Sequence, residues 1–60
     1  MVPFIKVVDV DDYNRLVFTN QIIEFIDLSN DSSVSYKTLI VTSNGKIKTD
    51  LTISQLEDML

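Results

Sequence analysis

Residues 39–49 read Leu-Ile-Val-Thr-Ser-Asn-Gly-Lys-Ile-Lys-Thr, and this stretch decides the fold. Apolar and polar residues alternate on both sides of Asn44-Gly45, a dipeptide whose members tolerate the positive φ of a tight type I′ turn. The stretch therefore predicts a β-hairpin. One strand spans about residues 34–43 and the next about 46–50, with Lys46 and Lys48 on one face and Ile47 on the other.

Working outward, residues 4–10 are β-branched or apolar at nearly every position, which suits a strand covered on both faces. Asp11-Asp12-Tyr13-Asn14 follows as a turn, because Asp and Asn bond to nearby backbone and accept unusual φ. Residues 15–19 make a second strand, Thr19-Asn20-Gln21 interrupts it, and residues 22–28 make a third. Ser29-Asn30-Asp31-Ser32-Ser33 is the polar small-residue run expected to form a mobile loop. Asn30-Asp31-Ser32 fits the glycosylation pattern, which reads here as a chance match in that loop.

The pattern changes period at the end of the chain. Thr52-Ile53-Ser54-Gln55 has the form of a capping box, and a cap at Thr52 sets Leu51 and Leu56 at the two positions of a hydrophobic staple. The helix then carries Ile53, Leu56 and Leu60 on one stripe, with Met59 beside it and Glu57 and Asp58 in solvent.

The expected fold is α+β and mainly β: a single domain over residues 1–60, built as a bent antiparallel sheet or small barrel of about five strands with one short C-terminal helix. Regular alternation places Ile5, Val7, Leu16, Phe18, Ile22, Ile26, Leu28, Leu39, Val41 and Ile47 on one side. Phe4, Val8, Val10, Val17, Ile23, Phe25 and Ile40 fall on the other. Both sides are apolar and one short helix covers only part of one, so either the sheet curls or its second face meets another chain.

Composition narrows the chemistry. The 60 residues are 45% apolar and contain neither Cys nor His, so no disulfide and no usual structural zinc ligand can staple a chain this small. Such a chain buries only about 60% of the surface its unfolded form exposes, which makes self-association the expected supplement. A net charge of −4 with five cations disfavours a phosphate-tracking surface, so nucleic acid is not an expected partner. The N-terminal residues show no basic-then-apolar leader and no segment approaches a membrane span, which gives a cytoplasmic expectation.

Catalysis finds no support. Without His or Cys, and with no Ser in a Gly-flanked elbow, a nucleophile and its base cannot be assembled. Asp9-Val10-Asp11-Asp12 is the one carboxylate cluster, and it fails as a calcium loop because Asn14 stands where Gly is needed and Asn20 where Glu is needed. It reads as a solvated turn. Phe4, Phe18 and Phe25 lie in apolar strands and are expected in the core. No cofactor is indicated.

Two readings of function remain. In the first, a non-enzymatic protein binds another protein through apolar sheet surface, with Ile23, Phe25 and Ile40 as anchors. In the second, a small accessory or phage-type inhibitor forms an oligomer that sequesters a nucleotide-like ligand, or blocks a host protein. Arg15, Lys46 and Lys48 would then grip a phosphate and Tyr36 would stack on a base. Lysines on an edge strand equally serve as guards against aggregation.

"LVFTNQIIEFID" (16–27) and "VTSNGKIKT" (41–49) followed by "SQLEDML" (54–60) resemble the FlbD-like family of small flagellar and swarming-motility proteins. That family shows an apolar strand, an Asn, an acidic-flanked apolar strand, an Asn-Gly hairpin and a short C-terminal helix. This chain departs from it in a first turn that lacks Gly and is about two residues longer, and in an extended 29–33 loop. The resemblance implies a non-enzymatic cytosolic protein that supports flagellar motor output through protein contacts. It transfers no catalytic or ligand residue.

Overall fold

The structure is a computed structural model that describes residues 2–60. Five antiparallel strands form two sheets, followed by a short helix: β1 (Phe4–Val8), β2 (Asn14–Phe18), β3 (Ile22–Asp27), β4 (Thr38–Thr42), β5 (Gly45–Thr49) and α1 (Ile53–Met59). β1 pairs with β2, and β3, β4 and β5 form the second sheet in that order. The sheets are not closed into a barrel. They are tied where the end of β1 crosses β5: Asp9 bridges Thr49, and the Val10 amide donates to the Lys48 carbonyl at 3.0 Å.

The 39–49 hairpin forms, but its turn is set one residue earlier than expected. Thr42 pairs with Gly45, so Ser43 and Asn44 make the turn. Gly45, at φ 139°, takes the positive φ that follows it. Neither Ser43 nor Asn44 takes a positive φ, so the turn is not the type I′ turn that Asn-Gly suggests. The Thr42 hydroxyl fixes the turn, accepting from the Asn44 amide at 3.2 Å and donating to the Gly45 carbonyl at 2.8 Å. With this register Phe25, Ile40 and Ile47 lie opposite one another across the sheet.

The expected strand over residues 34–43 is shorter, because residues 34–37 run irregularly before β4 begins. Within 29–33 the backbone is held by two successive Asp-x-Ser turns: Asp27 accepts from the amide and hydroxyl of Ser29, and Asp31 from those of Ser33.

Ile5, Val7, Val17, Ile40 and Leu56 form the buried core, with Ile22, Phe25, Ile47, Leu51 and Met59 packed against it. This overturns the expected assignment of faces: Ile40 and Ile47, expected on opposite sides, share the core face, and two further changes arise in β2 and β3. In β2 the register Ile5↔Val17 puts Val17 inside and turns Leu16 and Phe18 out. In β3 a bulge between Ile22 and Glu24 lets both Ile22 and Phe25 reach the core while Ile23 is expelled to solvent.

Two buried threonines stitch the layers together. Thr38 donates to the Leu51 carbonyl at 2.7 Å, and Thr49 donates to the Val8 carbonyl at 2.8 Å while accepting from the Leu51 amide at 3.2 Å. Both lie opposite each other in β4 and β5, so the sheet, the end of β1 and the approach to α1 share one hydrogen-bonded junction. The helix starts as expected. The Thr52 hydroxyl accepts from the Gln55 amide and the Gln55 side chain accepts from the Thr52 amide, while Leu56 is fully buried.

Candidate functional site

The surface that stands out lies on the outer face of the β1–β2 hairpin. Because Ile5, Val7 and Val17 point into the core, period-2 alternation directs Phe4, Lys6 and Val8 of β1 outward together with Asn14, Leu16 and Phe18 of β2. Phe4 and Phe18 face each other as an edge-to-face pair with ring centroids 6.4 Å apart. Phe4, Val8, Leu16 and Phe18 are 43–53% exposed, so this apolar strip is open to solvent. Phe4 and Phe18 are thus surface residues, not the core residues their apolar strands suggested. Lys6 sits across from Leu16 in the middle of the strip, and the one ion pair among the described residues lies elsewhere.

Ile40 separates from the other two expected anchors, which stay together. Ile40 has 0% exposure and belongs to the core, where no partner can touch it in this fold. Phe25 is half-buried against the same core, and Ile23 is 66% exposed on the bulge, the two lining one open hollow with Ile22 and Leu60. The exposed strip follows from a register that pairs odd residues of β1 with odd residues of β2 and even with even.

The residues of the ligand reading come closer together. Arg15 and Lys46 both line an open cleft of about 210 Å³ between β2 and the β4–β5 turn. A neighbouring groove joins Arg15, Lys46 and Lys48 with Asp9 and Asp11. Tyr36 reaches this cluster through Lys48, whose ammonium lies 5.5 Å from its ring centroid.

Electrostatics in the groove are mixed. Asp9 is almost fully buried and accepts from the amides of Asp11 and Tyr13 at 2.9 and 3.0 Å and from Arg15 Nε at 2.5 Å. The Arg15 hydrogen bond, seconded by the two amides against the opposing effect of burial, holds the Asp9 carboxyl below the usual carboxylate range. Asp12 follows at φ 65°, the left-handed conformation that Asp tolerates better than most residues. The acidic cluster is therefore a hydrogen-bonded turn that neutralises Arg15.

Among the described residues, no helix is long and apolar enough to cross a membrane. Comparison with protein-family models, with curated proteins and with solved structures gave no match, so the flagellar resemblance rests on the quoted motifs alone.

Proposed function

We propose that the protein is a non-enzymatic binding module that engages another protein through the outer face of the β1–β2 hairpin. The observation that carries this reading is the exposed Phe4–Phe18 pair with Leu16 and Val8 beside it. Aromatic residues held rigidly by a two-stranded ladder offer large contact area at little cost in side-chain entropy. Lys6 sets the chemistry of the partner. Covering the strip desolvates its ammonium, which favours an apolar partner surface carrying a carboxylate opposite Lys6. The resemblance to the flagellar family adds a context of motor output, and that context predicts reduced swarming in a strain lacking the protein.

A photo-crosslinking residue at position 16 tests the reading in cells that make the protein. A discrete adduct with another protein is expected, and Phe4→Ser should remove it while the purified variant still unfolds cooperatively. An adduct with that other protein, as distinct from a link between two copies of this chain, that persists unchanged in the folded variant would sink the proposal.

Sequestration of a nucleotide-like anion is the second reading, favoured by the convergence of Arg15, Lys46 and Lys48 on one groove. It has the weaker support, since Asp9 engages Arg15 and Tyr36 engages Lys48. Its test is nucleotide binding by calorimetry, with Lys46→Glu and Lys48→Glu expected to abolish any uptake.

A further inference from the structure

We infer that two copies of the chain associate through the free edge of β2, pairing antiparallel about a two-fold axis at Leu16. The inference rests on the β2 backbone and not on the function proposed for the outer face.

The direction of each backbone group follows from the ladder. The Thr19 amide donates to the Pro3 carbonyl and the Asp9 amide to the Tyr13 carbonyl, both at 3.0 Å. These bonds flank the β1–β2 register, in which Ile5 opposes Val17 and Val7 opposes Arg15. Hydrogen-bonded pairs alternate along an antiparallel ladder, so the odd residues of β2 bond inward and Asn14, Leu16 and Phe18 direct their amides outward. Among the described residues, no amide or carbonyl of Leu16 finds a partner beyond the strand pair. An open cleft separates β2 from the β4–β5 turn.

Other edges of the two sheets are guarded in the ways that prevent strand addition. The β3 edge is broken by its bulge. β5 carries Lys46 and Lys48 and is crossed by Val10. β1 begins after Pro3, carries Lys6 at its centre, and has its Val8 carbonyl capped by Thr49. β2, Asn-Arg-Leu-Val-Phe, has neither Pro nor Lys nor a bulge, and its single charge is tied back to Asp9.

A second copy is the occupant because β2 complements itself. With Leu16 on the axis, the Leu16 amide and carbonyl meet those of Leu16 of the second copy, and the Phe18 amide meets the Asn14 carbonyl of the second copy. Arg15 then lies opposite Val17 of the second copy, so no like charges are directly paired. A stable interface buries about 800 Å² per partner, roughly a fifth of the 4277 Å² surface here. A five-residue edge falls short of that, so the dimer is weak and concentration-dependent.

At 60 residues the chain is accessible to chemical synthesis, which allows the Leu16 amide nitrogen to be methylated with every side chain unchanged. Sedimentation equilibrium from about 10 μM to about 1 mM reads the dissociation constant directly. A monomer–dimer equilibrium is expected for the unmodified chain, with N-methylation weakening it at least about tenfold while circular dichroism stays native-like. Leu16→Lys, which sets two ammonium groups side by side across the axis, should weaken it similarly and guards against a folding defect in the methylated chain. A chain that stays monomeric throughout, or a dimer indifferent to both changes, overturns the inference. Phe4→Ser leaves the β2 edge intact and should not alter dimerisation, so loss of the proposed partner and loss of the dimer are separable.

Discussion

Ile23→Ala and Ile40→Ala make the same chemical change in the same sheet, and the structure assigns them very different costs. Ile40 is fully buried in β4 between Phe25 and Ile47, whereas Ile23 is 66% exposed on the β3 bulge. Truncating Ile to Ala removes three carbons, about 2.4 kcal/mol of transfer free energy at about 0.8 kcal/mol each when burial is complete. The vacated volume adds a cavity cost of about 1–2 kcal/mol, for a total near 4 kcal/mol within the range seen for such core truncations. At Ile23 only about a third of that transfer energy applies and no cavity forms, so the expected cost is about 0.5–1 kcal/mol. A chain of this length has roughly 3–9 kcal/mol of stability in all. Ile40→Ala should therefore leave it barely folded at 25 °C. Urea unfolding followed by circular dichroism measures both variants. Similar midpoints for the two would refute the bulge-determined facing of β3 and the place of Ile40 in the core.

Thr52→Ala removes the hydroxyl that accepts from the Gln55 amide, and should cost about 1 kcal/mol in the same urea assay; no loss would mean the capping box is not formed in solution. Gly45→Ala keeps open space around the new methyl but forces φ 139° on an L residue, so a loss of about 1–3 kcal/mol is expected, and a neutral result would contradict the turn conformation. The carboxyls of Asp9, Asp27 and Asp31 all lie below their ordinary values, held there by Arg15, by Ser29 and by Ser33 respectively. A folded pKa below the unfolded one means stability that is complete above about pH 4 and is lost as pH falls through the folded value. The urea midpoint should thus drop between neutral pH and about pH 3, and Asp9→Asn should flatten that drop; an equally steep fall in the variant would remove Asp9 from the account.

What could be read from the residues was whatever depends on neighbours in sequence. The capping box needs only Thr52 and Gln55 three positions apart, and it forms as expected. The turn after β1 was legible in its Asp residues, though its bounds shift: Asp9, expected in the strand, accepts the local amides, Asp12 takes the positive φ, and Asn14 already belongs to β2. The 39–49 hairpin forms as well, but with Ser43-Asn44 at its centre, because Asn-Gly serves either as two central positions or as the last residue of a turn and the first of a strand. Only the pairing of Ile40 with Ile47, a tertiary preference, selects between them.

The candidate surface was illegible for a related reason. Which of Leu16 and Val17 faces inward depends on the register of β2 against β1, and a one-residue change exchanges every side chain between the faces. In most strands polar residues on one face announce the register. In β1 Lys6 marks the outer face, but in β2 the polar Asn14 and Arg15 fall on opposite faces, so alternation alone does not say whether Val17 or Leu16 and Phe18 turn inward. The same ambiguity carries the functional content. A hairpin that needed only a core would gain solubility from polar residues on its outer face, and Lys6 and Asn14 show that this strip admits them. Phe4 and Phe18 leave about half of each ring in solvent at a cost in solubility, a cost that the contact with another chain proposed above would offset.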